Sequence, residues 1–169
     1  LQYYLNRGLA RYHLKDYAGV VADLTKVIGT SEASAKVHLM LGLSQSKTKQ
    51  YAEAIAQLTQ AENKGEKGSD LFLERGLAYY HTKEPQQALE DLKKALKSGS
   101  KDGEAAFILG NLYFQNEQYQ EAIGAYDNGI SWGKESDVLY NNRGKALYFV
   151  EKYPDAIRDY TKALQLNPN

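Results

Sequence analysis

The chain has 169 residues, 43% of them apolar and 25% charged, with three prolines and no cysteine. Basic and acidic residues number 21 each, so a net charge of zero gives no general attraction to a nucleic-acid backbone or an anionic membrane. Absence of cysteine excludes disulfides, thiolate catalysis and cysteine–zinc sites while leaving the compartment open, and no apolar stretch approaches the ~20 residues that span a bilayer.

Apolar residues recur at intervals of three and four along the chain, the pattern of amphipathic helices. The predicted elements run in pairs: helices over 2–14 and 18–29, then 35–48 and 52–63, 69–82 and 86–97, 103–116 and 120–131, and 137–150 and 154–166. In the third pair Leu73, Leu77 and Tyr80 mark one stripe of the first helix, and Ala88, Leu89, Leu92 and Ala95 mark the second. Pro85 and Pro154 fall at or just before the start of second helices, where a missing amide costs nothing. Pro168 follows the last helix as a stop signal, and Gly65, Gly99 and Gly133 suit turns between pairs.

The pairs are copies of one another. Glycines stand at 8, 42, 76, 110 and 144, each 34 residues after the last. Twelve residues beyond each comes Val20, Ala54, Ala88, Ala122 or Ala156, and nine beyond comes Tyr17, Tyr51, Pro85, Tyr119 or Tyr153. Further columns run Leu24, Leu58, Leu92, Tyr126 and Tyr160, and Val27, Ala61, Ala95, Gly129 and Ala163. Such periodicity is the signature of a repeat array, in which each unit buries its apolar face against its neighbours.

These residues resemble the tetratricopeptide repeat (TPR) family, whose 34-residue signature places Leu-Gly, Tyr, Ala, an aromatic and Pro in this order. Leu109-Gly110, Tyr113, Ala122 and Tyr126 carry the match in the fourth copy, and Tyr140, Gly144, Ala156, Tyr160 and Pro168 in the fifth. Arg7, Arg75 and Arg143 depart from it, replacing the leucine before the glycine. The resemblance implies an all-α fold, a right-handed superhelical solenoid of antiparallel helix pairs. It implies one domain over 1–169, with repeats 1–34, 35–68, 69–102, 103–136 and 137–169.

The resemblance further implies a concave groove lined by first helices, a binding surface for proteins or peptides. Its columns would hold Leu5, Leu39, Leu73 and Phe107; Leu9, Leu43, Leu77, Asn111 and Lys145; and the aromatics Tyr12, Tyr80, Phe114 and Tyr148, with Asn142 in an adjacent column. A face of this kind suits an amphipathic helix or an extended peptide. The same leucines could instead pack between neighbouring first helices. The family's carboxylate clamp for acidic chaperone tails is incomplete in every frame, because Leu5 and Leu9 stand where Lys and Asn are needed.

Nothing else points to chemistry. His13 and His81 lie two copies apart, too far to share a metal, and His38 occupies a packing column. No P-loop, H-E-x-x-H or G-x-G-x-x-G pattern occurs. A non-enzymatic adaptor with no metal or cofactor is expected, with protein or peptide partners and neither nucleic-acid binding nor membrane insertion. The alternative is a structural assembly module joined through repeat ends and convex face. Ile157, Tyr160, Leu164 and Leu166 form an apolar stripe on the last helix, so end-to-end self-association, or a longer natural chain, is a further expectation.

Overall fold

The computed structural model describes residues 1–168, which hold ten helices and no strand; the last residue of the fifth predicted repeat, Asn169, lies outside them. The first helices are α1 (Gln2–His13), α3 (Ala35–Lys47), α5 (Ser69–His81), α7 (Gly103–Gln115) and α9 (Asp137–Phe149). The second helices are α2 (Tyr17–Leu24), α4 (Tyr51–Asn63), α6 (Pro85–Lys97), α8 (Tyr119–Ser131) and α10 (Tyr153–Leu166). The fold is an all-α helical-repeat solenoid. Ser34, Asp102 and Ser136 cap their first helices by accepting the amides of Val37, Ala105 and Leu139. The column of Tyr17, Tyr51, Pro85, Tyr119 and Tyr153 supplies the first residue of each second helix.

Two features of the turns differ from expectation. Each first helix ends one residue early, and the residue after its cap adopts a left-handed conformation although it is Lys15, Lys49, Lys83, Glu117 or Glu151. The closing bonds explain it: Lys49 N–H donates to Ser46 and Gln50 N–H to Gln45, which satisfies the terminal carbonyls without glycine. Helix α2 stops at Leu24 rather than near residue 29. There Thr25 Oγ1 donates back to the Val21 carbonyl, and the amides of Lys26 and Val27 reach only three residues back. The β-branched run through Val27 and Ile28 favours this tighter path.

The chain divides into two compact units, Leu1–Ser98 and from Gly99 on. In the first, α1–α2, α3–α4 and α5–α6 form hairpins, and α2 packs on α3 and α4 on α5. Val20, Leu24, Val27, Val37, Met40 and Leu41 form one buried cluster, and Leu43, Leu58, Leu71 and Phe72 belong to another. In the second, hairpins α7–α8 and α9–α10 are joined by α8 on α9. Close approach within hairpins rests on the glycine column, since each of Gly8, Gly42, Gly76, Gly110 and Gly144 faces the large side chain sixteen residues on.

The arginines that replace the leucine are paired rather than anomalous. Arg7, Arg75 and Arg143 each make a two-pronged bond to an aspartate sixteen residues later, on the second helix of the same hairpin. For Arg75 and Asp91 the distances are 2.6 and 3.1 Å, and for Arg143 and Asp159 both are 2.7 Å. A lysine three residues beyond each aspartate and the arginine itself lie over one aromatic ring: Tyr4, Phe72 or Tyr140. The second and fourth copies carry Leu41 with Gln57 and Leu109 with Ala125 at the paired positions, so the true period of this feature is two repeats.

Hydrogen bonds from Arg7, opposed by burial and aided by Arg11, hold the Asp23 carboxyl below the usual carboxylate range. A lowered folded-state pKa contributes stability above the unfolded value and loses it as pH falls through the folded one. The stability gap between the native chain and Asp23→Asn is therefore expected to be open near neutrality and to close below about pH 4. Urea midpoints of the two chains at a series of pH values check this, and a gap that stays constant into acid would contradict it.

Candidate functional site

In the first unit, the predicted site residues lie on α1, α3 and α5, and α3 packs beside α5. The core takes Leu43 fully. Leu5, Leu9 and Tyr12 rest half-buried on one core cluster, and Leu39, Leu73 and again Tyr12 on the other. Leu77 is also half-buried, and Tyr80 is exposed at the end of α5. The face is thus both core and surface: its leucines pack inward on one side and keep apolar area open on the other.

A cavity of about 120 Å³ opens on this face between Tyr12, Tyr17, Leu43, Lys47, Asp70 and Glu74. Glu74 is buried, accepts a 2.7 Å bond from Ser46 Oγ and is ion-paired with Lys47. Burial, followed by the nearby Tyr17 and the Asp70 and Glu74 carboxylates, pushes the Tyr12 phenol above its ordinary pKa, so it remains a neutral donor. Tyr12 meets Tyr17 edge-on with ring centroids 6.4 Å apart. The cavity accordingly has aromatic and leucine walls with a polar rim. The Ser46–Lys47–Glu74 group was not foreseen, because it joins residues almost one period apart on neighbouring first helices.

In the second unit, α7 and α9 carry the remaining predicted residues. Asn111 and Asn142 are brought together: Asn111 Oδ1 accepts from Asn142 Nδ2 at 3.0 Å and from the Tyr126 hydroxyl at 2.8 Å. Tyr126 is fully buried, which raises its pKa, and Phe107 leans on its ring. Phe114 meets Tyr119 and Phe149 edge-on, while Tyr119 and Phe149 stack at 4.6 Å. Tyr148 joins the group through Phe149 and Tyr153 and is itself exposed, as is Lys145. Phe149, Tyr119 and Tyr153 were missed as site candidates. Phe149 shares its column with His81, which stacks on Tyr51 at 4.3 Å in the first unit, and that parallel was the available signal.

The other residues singled out for chemistry are used in packing. The imidazole Nδ1 of His38 lies 2.8 Å from Gln57 Oε1, and His13 contacts Tyr12. Among the described residues no three His, Asp or Glu side chains are grouped to hold a metal ion, and no helix is long and apolar enough to cross a membrane.

Sequence profiles of the tetratricopeptide repeat match residues 35–63 and 138–169, and a profile described as anaphase-promoting complex, cyclosome, subunit 3 matches residues 62–129. Among curated proteins none matches the chain in sequence. Solved structures are similar over nearly all of it. A structure titled MamA AMB-1 is 18% identical with a TM-score of 0.83, covering 99% of this chain and 91% of that one. A structure titled MamA protein is 22% identical with a TM-score of 0.77 and the same coverage, 99% and 91%. YrrB, titled a TPR protein with an unusual peptide-binding site, is 20% identical with a TM-score of 0.79, covering 98% and 86%.

Proposed function

The chain belongs to the tetratricopeptide repeat family, whose members are generally non-enzymatic protein-interaction modules, and from that premise we propose that its first-helix faces hold an amphipathic helix or an extended peptide. A protein-interaction scaffold is the level at which fold and relatives agree. The observation that carries the finer reading is the half-buried leucine surface of α1, α3 and α5, beside a cavity rimmed by Tyr12, Tyr17 and Asp70. Apolar side chains already ordered by their inner contacts lose little further entropy when a partner covers them. The similarity to YrrB, which is titled for its peptide-binding site, supports the same choice.

Each leucine or aromatic anchor buried there contributes roughly 1.5–3 kcal/mol before ordering costs. Panning a displayed library of random 15-residue peptides against the purified chain is expected to enrich sequences with apolar residues at helical spacing. Leu77→Asp should weaken those peptides at least about tenfold while the helical circular dichroism stays unchanged. Peptides that bind Leu77→Asp as well as the native chain would remove the groove reading.

A second reading, in which repeat ends join copies or partners into a larger assembly, is favoured by one separate observation. Ile157 and Leu164 of α10 are exposed, whereas the matching positions of α8, Ile123 and Ile130, are buried and half-buried.

A further inference from the structure

The cavity on the first-helix face of the first unit differs in charge from the leucine surface around it. Its walls are Tyr12, Tyr17 and Leu43, and its rim carries Lys47, Asp70 and Glu74. Asp70 and Glu74 stand one turn apart on α5 and so share one side of that helix. No other copy places two acids in these columns: the matching pairs are Gln2 with Asn6, Lys36 with Met40, Glu104 with Ile108 and Val138 with Asn142. The repeat pattern that builds the core therefore does not require them.

The three charges are not equivalent. Glu74 is buried and engaged by its own chain, one oxygen accepting from Ser46 Oγ and the other ion-paired with Lys47. Asp70 is exposed, and among the described residues no side chain donates to it or pairs with it. Two carboxylates against one ammonium leave the rim with a surplus negative charge. The Tyr12 phenol registers that surplus. Burial raises its pKa most, Tyr17, Asp70 and Glu74 raise it further in that order, and Lys47, which lowers it, has the smallest effect.

What covers the cavity must therefore bring positive charge. An apolar side chain would strip water from Asp70 and offer no bond in return, and an acidic one would add repulsion. A lysine or arginine supplies charge-assisted donors to the carboxylate and keeps an alkyl stem for an apolar wall. Tyr12 and Tyr17 meet with their ring planes 73° apart, so they present two differently directed aromatic surfaces to a cation.

We propose that this cavity receives a lysine or arginine side chain of a bound peptide, with Asp70 as its counter-ion, Tyr12 and Tyr17 beside the cation and Leu43 against the stem. The proposal rests on the peptide-binding reading of the first-helix face and adds the chemistry of the partner: a basic residue set among apolar ones.

Random 15-residue peptides selected on the native chain are expected to carry lysine or arginine at a fixed distance from their apolar residues. Those selected on Asp70→Asn, a substitution at an exposed position, should keep the apolar spacing and lose the basic residue. In a peptide selected on the native chain, norleucine in place of the basic residue should weaken binding to that chain at least about tenfold, and binding to Asp70→Asn by less than about twofold. Apolar spacing without a basic preference on the native chain would overturn this proposal and leave the groove reading standing. No enriched peptide at all would remove the groove reading and this proposal with it.

A titration without peptide tests the cavity itself. n-Butylammonium, the lysine side chain alone, raised to about 50 mM should shift the ring resonances of Tyr12 and Tyr17 and the methyl resonances of Leu43 saturably. Asp70→Asn should weaken that response several-fold, and n-butanol at the same concentrations should not produce it. Equal shifts from n-butanol, or an unaltered response in Asp70→Asn, would overturn the proposal.

Discussion

Asp91→Ala is expected to destabilise the chain by about 3–5 kcal/mol, read from urea unfolding followed at 222 nm. The cause is what the substitution leaves behind. The Arg75 side chain is 6% exposed, and Asp91 supplies two of the bonds that hold its charge. Burial lowers the arginine's pKa, but the bonds to Asp91 and Glu62 outweigh it and raise the value, so the guanidinium stays charged and cannot escape by deprotonation. Glu62 and Thr59 remain as partners, which places the loss toward the lower end of the range.

The double variant Arg75→Leu with Asp91→Ala should recover most of that loss. It reproduces the arrangement of the fourth copy, where Leu109 and Ala125 fill the same positions and are buried without any charge. Replacing both members of a buried pair by apolar groups is often neutral or stabilising, whereas removing one is costly. A double variant no more stable than Asp91→Ala alone would mean that the third hairpin depends on the charges for more than mutual neutralisation. The same experiment at Arg7 and Asp23 should give a smaller effect, because the Arg7 side chain is more than half exposed and water replaces its partner.

This ion-pair column shows where sequence reasoning stopped. The helices and their register were legible because burial imposes a period of 3.6 on each helix and of 34 on the array, and both periods survive in residue type. Arg7, Arg75 and Arg143 looked like defects because helices were considered one at a time. Asp23, Asp91 and Asp159, sixteen residues on, were the missing half, and the alternation with Leu41 and Leu109 was visible in the same columns. The left-handed turn residues were less accessible: Lys49 and Glu117 have no residue-type signal for that conformation, which the closing bonds of the helix ends impose. For the candidate site, the columns identified which residues share the first-helix face. They did not reveal that Asn111 and Asn142 are tied together, or that Phe149 and Tyr119 stack, because those contacts depend on the spacing of neighbouring hairpins.

Hairpin spacing is also what Gly42→Val tests, with an expected loss of about 3 kcal/mol. A Cβ on Gly42 would stand 2.7 Å from Leu58 Cγ, 2.9 Å from its Cδ2 and 3.1 Å from its backbone nitrogen. The leucine side chain cannot swing aside, because it is fully buried in the cluster with Ala61, Leu71 and Phe72. The backbone nitrogen yields only if α4 moves off α3. Removing a glycine from a helix interior contributes about 1 kcal/mol in the other direction, so Gly42→Ala should lose less, and the branched methyls of valine decide the sign. A double-mutant cycle with Leu58→Ala identifies the contact. Leu58→Ala alone should cost about 2–5 kcal/mol through the cavity it opens, and the valine then occupies part of that space. The double variant should therefore be more stable than the sum of the single losses predicts, by about 1 kcal/mol or more. Strict additivity would show that the clash lies elsewhere than at Leu58, and that the glycine column is not what sets the distance between the two helices of a hairpin.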